Sequence, residues 1–436
     1  MGLHQEGNTN EMNQKSRCQM SPSLSASSCE VVAIKYVCGI DIGSQSCAGC
    51  IYRPDKHLVV KPTVFANSKD GWTIVLDKLS HLDALPNEIL IGMEATARYS
   101  ENLYHELEQR GYRLCLLHPG QTHQFHQRQG LRAKTDRLDA MTIARVLLSG
   151  EARAGYIPSE RVATYRELVR LHSQLSEEAA RYQNQIHALV VVLLPEFTQV
   201  FADPCLPTAL AVLKAYPSAR AMAQAGEAAL YGLLHTQQHA HYGHPTARKL
   251  LSLASTSVSS GQAEAGRSLS LRILCEQLEQ TQKHLARLQA ELEQLLANDP
   301  AVKGLQQIPE FGTKTVAVLR AELGDVDRFA RTDQVIAYAG LDILIKESGL
   351  WKGQAKLSKR GSGLLRQMLY LAALRSIHLE GSAFGAYYRR LVERGLKKGS
   401  ALMAVMRKML AVAAHLLKHE REDYDPSKVG VGLLAG

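Results

Sequence analysis

The N-terminal third of the chain alternates short apolar runs with amphipathic stretches. Five apolar runs have the length and side-chain type of β-strands: 36–42, 47–53, 58–65, 88–93 and 113–117. Segments 69–82 and 100–110 instead repeat their apolar residues at helical spacing, and a further helix is predicted to begin at Thr135, a suitable N-cap. Strands interleaved with helices predict an α/β domain over residues 34–155.

The apolar pattern then changes to a seven-residue repeat in two long stretches. The first runs from about 160 to 190, with Leu168, His172, Leu175, Ala179, Tyr182, Ile186 and Leu189 on the seam. The second runs from about 268 to 297, with Leu271, Leu274, Leu278, Leu285, Leu288, Leu292 and Leu295 at alternating spacings of three and four, broken only by Thr281. These repeats predict an α-helical coiled-coil linker over residues 156–300, with a helical segment inserted between its arms. The pattern fits an antiparallel arm, an oligomer seam or the core faces of a helical domain equally well.

The remainder of the chain is predicted to be mainly α-helical over residues 301–425. Within it, residues 305–315 combine a short helix with a Pro-containing turn, and a helical run follows at 316–323. This helix-hairpin-helix-like order can direct backbone N–H groups at a phosphate, although an ordinary helical hairpin fits as well. Residues 1–33, rich in Ser, Gln and Asn, are predicted to be a disordered extension, and residues 426–436 a tail.

Composition adds the nature of the partner and the compartment. The net charge of +9 and the pI near 9.1 favour an anionic partner, of which nucleic acid is the commonest large one. The eight cysteines are scattered through 436 residues, which indicates a reduced, cytoplasmic protein. Cys47 and Cys50 are better explained as a buried pair than as a zinc or redox site. With neither a signal peptide nor an apolar run of membrane-spanning length evident, we expect no membrane partner.

Basic residues concentrate in the C-terminal region. Together with Lys134, the candidates for contact with a nucleic-acid backbone are Lys346, Lys352, Lys356, Lys359, Arg360 and Arg366. A solvated charged face is the alternative explanation for such a cluster.

Four carboxylates carry the candidate chemistry. Asp41 and Glu94 end apolar strand-like runs, and Asp136 and Asp139 lie three residues apart at helical spacing. All four could therefore converge at one edge of a sheet, where their mutual repulsion would favour the binding of one or two divalent cations such as Mg²⁺. In a basic protein this arrangement indicates Mg²⁺-dependent chemistry on phosphodiesters. The alternative is a structural cluster in which each carboxylate is neutralised by its own Lys or Arg.

A rival explanation starts from residues 41–46. Asp-Ile-Gly-Ser-Gln-Ser is also similar to the first phosphate loop of actin-like ATPases and sugar kinases. That class needs a second Asp-x-Gly loop and an adenosine motif, neither of which is evident in the sequence.

Six segments, taken in order, resemble the IS110/IS1111 family of insertion-sequence transposases. They are Gly39-Ile40-Asp41, Glu94-Ala95-Thr96, residues 130–140 (GLRAKTDRLDA), Tyr338-Ala339-Gly340-Leu341, Glu347-Ser348-Gly349 and Leu357-Ser358-Lys359-Arg360-Gly361. The resemblance covers roughly residues 35–425. It implies a RuvC-like, RNase H-type domain whose DEDD tetrad is Asp41, Glu94, Asp136 and Asp139, followed by a helical linker and a C-terminal transposase domain.

The same resemblance implies an unusual nucleophile. Ser348 would attack a DNA phosphate and form a covalent serine–DNA intermediate, while Ser358 is the rival serine in that segment. The resemblance further implies double-stranded donor and target DNA, a noncoding guide RNA, and a homo-oligomer, either dimer or tetramer. Two departures from the family pattern are Ala97 in place of a Gly and Glu310 at the hairpin, where an acidic side chain at an exposed tip would repel phosphate.

Two further alternatives remain open from the residues alone. A RuvC-like nuclease would hydrolyse branched DNA with the same carboxylates and would make no use of Ser348. A non-catalytic nucleic-acid-binding protein would share the basic surface without cleaving its ligand.

Overall fold

The computed structural model describes residues 33–95, 98–128, 135–236, 242–344, 347–348, 351–352 and 356–430, with side chains omitted at 344, 347, 348, 351, 352 and 356. The predicted disordered extension at 1–33 lies outside the described residues, apart from residue 33, as do Lys134, Lys346 and the last six residues of the predicted tail. The chain forms two compact units that divide between Ile157 and Pro158.

The first unit is built on a single mixed sheet. Its strands are β1 (Tyr36–Ile42), β2 (Ser46–Tyr52), β3 (Leu58–Ala66), β4 (Ile89–Glu94) and β5 (Arg113–Leu117). They lie in the order β3-β2-β1-β4-β5; β1, β2 and β3 pair antiparallel, whereas β4 and β5 extend the sheet in parallel from β1. The predicted strands are thus confirmed to within one residue at each end.

Helices cover both faces of this sheet. They are α1 (Lys69–Ser80), α2 (Glu101–Gln109), α3 (Pro119–Arg128) and α4 (Asp136–Leu148). On one face, Val75 of α1 and Leu103 of α2 share a core with Ile40 and Ile91 of the sheet. On the other face, α4 packs its buried apolar side against β1 and β2. Helices α1, α2 and α4 match the predicted segments, whereas α3 was not predicted.

Two long antiparallel helices organise the second unit. Helix α5 (Glu160–Leu193) and helix α9 (Glu264–Ala297) pack against each other. Their direction follows from the cores they share. Val169 near the start of α5 belongs to the same core as Leu296 at the end of α9, and Ile186 belongs to the same core as Leu271 near the start of α9. The seven-residue repeats therefore form an antiparallel arm within one chain. Between the arms the chain folds into α6 (Pro207–Ala215), α7 (Ala219–Thr236) and α8 (His244–Ser255), with α7 interrupted at Gly226.

The rest of the second unit is a helical core around one apolar helix. Its helices are α10 (Lys303–Gln306), α11 (Thr313–Leu323), α12 (Thr332–Tyr338), α13 (Gly363–His378), α14 (Ala383–Glu393) and α15 (Lys398–Lys418). In the described part of the segment between α12 and α13, the chain forms the short strands β6 (Ile343–Leu344), β7 (Glu347–Ser348), β8 (Trp351–Lys352) and β9 (Lys356–Leu357). The prediction that no apolar run has membrane-spanning length is wrong, because α15 has that length and hydropathy. Most of α15 is buried within its own unit, where it packs in the helical core.

Candidate active site

Asp41 and Glu94 lie side by side because their strands are parallel neighbours. The register pairs Ile40 of β1 with Met93 of β4, so Asp41 and Glu94 are the next residues on the two strands. Both face the same edge of the sheet, at the carboxyl ends of the parallel pair, and both are half-buried. The carboxyl ends of parallel strands are where open α/β sheets place their ligand sites.

Asp136 and Asp139 occupy the first turn of α4. The helix begins as predicted at Thr135, whose side-chain oxygen accepts a hydrogen bond from the Leu138 N–H at 3.4 Å. The positive end of the helix dipole lies at this turn and partly offsets the repulsion between acidic groups. Asp136 is exposed and Asp139 half-buried, so one carboxylate lies at the rim of the site and the other deeper within it.

A glycine allows this helix to approach the sheet closely. A Cβ on Gly39 would lie 2.2 Å from the Ala140 carbonyl oxygen and 2.6 Å from the Ala144 nitrogen. Gly39 is paired with Gly92 on β4, where a Cβ would come within 2.5 Å of Leu147. The two glycines therefore let α4 lie directly against β1 and β4 from Ala140 to Leu147, beyond the turn that carries Asp136 and Asp139.

The charge environment of Asp41 includes the other three carboxylates. Burial raises the pKa of Asp41 to about 6, and repulsion by Asp139, Asp136 and Glu94 adds to the shift. A hydrogen bond from the Ile42 backbone opposes the shift. Such a mutually repelling set of carboxylate oxygens fits a hard divalent cation, which would relieve the repulsion.

Asp41, Glu94, Asp136 and Asp139, called the carboxylate cradle below, are spaced more widely than the ligands of a compact ion site. Within the described residues, groups of three or more potential ligands whose donor atoms all lie within 4.8 Å of one another occur elsewhere, at His187, Asp203 and Cys205 and at His415, His419 and Glu422. Asp41, Glu94, Asp136 and Asp139 are not among these compact groups. Their role as metal ligands remains a prediction.

One residue of the site was missed in the sequence. Thr122 of α3 is buried, and its hydroxyl lies 2.6 Å from the Glu94 carboxylate and 2.9 Å from the Pro119 carbonyl oxygen. Contact with Thr122 orients the Glu94 side chain. Recognising this residue would have required predicting α3, a mostly polar helix with little apolar periodicity.

Ser348 lies on a short hairpin in the second unit. Its backbone belongs to β7 and is paired with Trp351 of β8. The hairpin is enclosed by a second antiparallel pair, in which Ile343 of β6 is opposite Leu357 of β9. Ser348 thus lies within a loop whose two ends are held together.

The base of this loop is closed by Asp342 and Ser358. The Ser358 hydroxyl donates a short hydrogen bond to the Asp342 carboxylate, and the Ser358 N–H donates to the Asp342 carbonyl oxygen at 3.0 Å. The Lys359 N–H donates to the Gly340 carbonyl oxygen at 3.1 Å. A Cβ on Gly361 would lie 2.0 Å from the Tyr338 carbonyl oxygen, so the segments around residues 338–341 and 357–361 pack backbone against backbone.

The basic residues differ in what their side chains do. Lys359 and Arg360 are exposed, as a phosphate contact requires. The Nη1 of Arg366 instead donates to the carbonyl oxygens of Gly361, at 2.7 Å, and Ala339, at 3.1 Å. Arg366 therefore has a structural role that competes with the predicted phosphate contact. Only the backbones of Lys352 and Lys356 are described, and Lys134 and Lys346 lie outside the described residues.

Glu310 corrects an expectation drawn from the sequence. The hairpin between α10 and α11 forms as predicted, but Glu310 is 1% exposed and does not lie at an exposed tip. Its Oε1 accepts a hydrogen bond from the Ser382 hydroxyl, and the Arg375 guanidinium donates to its backbone carbonyl oxygen at 3.1 Å. Burial in these contacts removes the predicted direct repulsion of a phosphate at the surface.

In the first unit, Cys47 and Cys50 are buried and free, as predicted.

Comparison with known proteins matches two regions of the chain to one family. The DEDD transposase model of the IS110 type matches residues 38–195, and the model for transposases of the IS116/IS110/IS902 family matches residues 302–389. The first match contains all four carboxylates, and the second contains Ser348 and Ser358.

Individual relatives agree with these matches. A 43.6 kDa protein of insertion element IS110 from Streptomyces coelicolor is 24% identical over 352 residues, which cover 79% of this chain and 81% of the relative. The pilin gene-inverting protein of Moraxella bovis is 28% identical over 118 residues, covering 27% of this chain and 37% of that protein. A 42 kDa protein of insertion element IS900 from Mycobacterium paratuberculosis is 33% identical over 112 residues, covering 26% and 28%. Matched in two regions that together span more than half of its length, the chain belongs to the IS110 family of transposases, whose substrate is DNA.

Proposed function

We propose that this protein is a DNA recombinase that cuts and rejoins strands of an insertion sequence, with divalent metal held by Asp41, Glu94, Asp136 and Asp139. The observation that supports the proposal is the register that sets Asp41 beside Glu94 at the carboxyl ends of β1 and β4, and repulsion from Asp139, Asp136 and Glu94 on Asp41 agrees with it. We further assign the first unit to the RuvC-like, RNase H-type fold. Its strand order, with three antiparallel strands followed by two parallel ones, is consistent with that assignment.

The proposed cofactor is Mg²⁺, as one or two ions. Its ligands would be the oxygens of the four carboxylates, and it would supply Lewis-acid stabilisation of the charge that develops on a phosphodiester during displacement. The protein contributes the arrangement: β1 and β4 hold Asp41 and Glu94, α4 holds Asp136 and Asp139, and Thr122 orients Glu94.

The proposed nucleophile is Ser348. Its Oγ would form a bond to phosphorus while one bond from phosphorus to a deoxyribose oxygen breaks, and the proton lost by the serine would finally reside on the released deoxyribose hydroxyl. The number of phosphoester bonds is unchanged, so the covalent intermediate can be rejoined without an external energy source. A serine hydroxyl is a weak nucleophile at neutral pH and needs a base or a metal to accept its proton.

The remaining assignments follow the family resemblance. We propose double-stranded donor and target DNA, a noncoding guide RNA, a dimer or tetramer, and a cytoplasmic location. The linker at 156–300 and the transposase domain at 301–425 remain proposed divisions of the second unit. Exposed Lys359 and Arg360 are the proposed backbone contacts with the clearest structural support. Two relatives are named for inverting a pilin gene, and DNA inversion also requires cleavage and rejoining.

Covalent trapping tests the proposal. The full-length protein is incubated with DNA carrying the element's ends, the transcript of its flanking noncoding region and Mg²⁺, and denaturing gels then detect protein–DNA adducts. We expect adducts with the unchanged protein and with Ser358→Ala, and none with Ser348→Ala. Adducts that persist in Ser348→Ala would remove Ser348 from the mechanism.

The runner-up function is a RuvC-like nuclease that hydrolyses branched DNA. Both functions use the same four carboxylates, so the recombinase and the nuclease alike predict that Asp136→Ala loses DNA cleavage. The two functions differ in that hydrolysis gives free DNA ends without any adduct, whatever residue occupies position 348. Recombined product separates them in the same reaction.

A further inference from the structure

A separate group of metal-binding side chains lies at the C-terminal end of α15. His415 and His419 are one helical turn apart, and their ring centroids are 4.5 Å from each other. Glu422 follows in the next turn of chain, with its Oε2 3.0 Å from the His415 Nε2. One donor atom from each residue lies within 4.8 Å of the other two. Neither the carboxylate site nor the Ser348 loop includes these residues.

The local backbone supports a cation at this position. Residues four apart on a helix present their side chains on one face, which is how two histidines of one helix can bind the same ion. The last carbonyls of a helix carry partial negative charge, which favours a cation beside them. The Glu422 N–H donates to the His419 carbonyl oxygen at 2.8 Å, and this turn brings the carboxylate back towards the two rings.

We propose that His415, His419 and Glu422 bind a transition-metal ion, with Zn²⁺ the best fit. Imidazole nitrogens together with one carboxylate oxygen suit Zn²⁺, whereas Mg²⁺ prefers oxygen ligands alone. Three protein ligands leave one position of a tetrahedral ion for water. All three residues are at least partly exposed, so the ion can enter from solvent.

The metal would fasten the segment that follows α15. In this segment Tyr424 donates its N–H to the Gln307 side chain at 2.7 Å, and the Gln307 amide donates to Asp423 at 2.6 Å. The Tyr424 ring also stacks on Phe384 of α14. An ion on His415, His419 and Glu422 would therefore secure the segment that covers the end of α10, and its expected effect is on stability.

A plain ion pair is the alternative explanation. His415 and Glu422 can pair without metal, and Lys428 lies 3.9 Å from the same Glu422 oxygen. The direct contact of the ion pair is between His415 and Glu422, and His419, whose ring lies beside His415, contributes to the pair through its charge. The test therefore depends on His419, which a metal site requires and the ion pair does not.

The other compact ligand group provides a matched control. His187 lies 3.7 Å from Asp203, but the same Asp203 oxygen already accepts the Cys205 N–H at 2.8 Å, and Cys205 is buried. Burial also raises the pKa of the Cys205 thiol to about 12, which opposes the thiolate that a metal needs. His187→Ala therefore removes an exposed histidine from a comparable group without touching the proposed site.

Cobalt spectroscopy in excess Mg²⁺ tests the site. The excess Mg²⁺ competes with Co²⁺ for the carboxylate cradle of the proposed function, and Co²⁺ reports a tetrahedral nitrogen and oxygen site through its visible absorption bands. We expect the full-length protein and His187→Ala to develop the bands and to lose them on addition of Zn²⁺. His419→Ala and Glu422→Gln should lack them. Zn²⁺ at a hundredfold excess over its Kd should raise the melting temperature by about 5 °C, and not in His419→Ala.

Each other outcome overturns the proposal. Bands of equal strength in His419→Ala would place the ion elsewhere, and their loss in His187→Ala alone would assign it to the other group. The absence of bands and of any Zn²⁺-dependent rise in the unchanged protein would leave only the ion pair. Melting in EDTA verifies that both site variants are folded, since His419 is exposed and its removal should shift that temperature little.

Discussion

The Ser358 hydroxyl donates a hydrogen bond to the Asp342 carboxylate, and these two residues stand at the two ends of the loop that carries Ser348. The contact joins residues sixteen positions apart, and the backbones of the same two residues are also hydrogen-bonded at 3.0 Å. A serine bonded to a carboxylate also resembles an activated nucleophile, which makes Ser358 a chemical rival to Ser348. Its position at the base of the loop favours a positioning role instead.

Replacing Ser358 with Ala should slow the reaction without abolishing it. The change removes a hydrogen bond to a charged group and leaves Asp342 without this donor, at a cost of about 1.5–3 kcal/mol in local stability. A loosened loop would lower the rate of adduct formation roughly tenfold or more, because small errors in the position of a nucleophile reduce rates strongly. Single-turnover rates of adduct formation measure this effect.

Conservative replacements separate positioning from chemistry. Ser358→Thr keeps the hydroxyl and should recover most of the rate if positioning is its task. Asp342→Asn should resemble Ser358→Ala, since the hydrogen bond is weakened in both. Complete loss of adducts in Ser358→Ala, with adducts retained in Ser348→Ala, would reverse the roles of the two serines.

Replacing Asp41 with Asn should stabilise the metal-free protein. The pKa of Asp41 is about 6 in the folded state and 3.8 ordinarily, so between these values the folded protein binds more protons than the unfolded one. Stability therefore falls as the pH rises through this window, and the penalty is fully present above pH 6. A two-unit shift corresponds to about 3 kcal/mol, which partial exposure reduces to about 1–2 kcal/mol. Denaturant melts in EDTA at pH 7.5 and pH 4 should show the gain only at the higher pH.

In the presence of Mg²⁺ the unchanged protein, rather than Asp41→Asn, should be the more stable of the two. In the unchanged protein Mg²⁺ relieves the repulsion and raises the melting temperature, and the rise should fade below about pH 6 as Asp41 takes up a proton. Asp41→Asn should show little Mg²⁺ effect at any pH. Asp70→Asn, which changes an exposed acidic residue in the first turn of α1, is the control and should behave like the unchanged protein. A full Mg²⁺ response in Asp41→Asn would argue against Asp41 as a ligand.

Local pattern was sufficient to predict much of the first unit. Strands β1 to β5 are short and strongly apolar, and Thr135 caps its helix through a side chain that the sequence displays directly. That Asp139 acts electrostatically on Asp41 could be anticipated, because strand ends and the first turn of a helix are positions with few geometric alternatives. Helix α3 was not predicted, since its mostly polar residues carry no clear period, and the contact from Thr122 to Glu94 was missed with it.

In the second unit, contacts between residues far apart in the sequence could not be predicted from local pattern. The seven-residue repeats in α5 and α9 identify two helices but not their partners, because the same seam suits an intrachain arm and a second copy. The burial of Glu310 could not be predicted for the same reason. A charged side chain beside Pro309 is typical of a surface turn, and its burial is explained by the hydrogen bond with Ser382, 72 residues away.

Glu310→Gln should leave DNA affinity unchanged. The side chain is buried, so its charge does not meet a phosphate at the surface, and the amide oxygen can still accept the hydrogen bond from Ser382. Glu310→Ala should lower the free energy of unfolding by about 1–3 kcal/mol, because the Ser382 hydroxyl loses its acceptor. Binding to a short duplex at fixed salt, together with denaturant melts, measures both. Tighter DNA binding by Glu310→Gln would instead support the prediction from the sequence that Glu310 is exposed at the hairpin and repels phosphate.

Gly39→Ala should damage the carboxylate cradle without changing any carboxylate. The added Cβ would lie 2.2 Å from the Ala140 carbonyl oxygen, and both atoms in that contact belong to or are fixed by backbone. Helix α4 must move away from β1, which carries Asp139 away from Asp41 and costs about 1–3 kcal/mol as overpacking. The matched change is Gly266→Ala in α9, where a Cβ meets no atom within 4 Å and the better helix former should be neutral or stabilising by up to about 1 kcal/mol. Calorimetric Mg²⁺ binding should be weakened at least tenfold in Gly39→Ala and unaffected in Gly266→Ala. If Gly39→Ala binds Mg²⁺ normally while losing stability, the close contact between α4 and β1 serves packing alone, and the cradle does not depend on it.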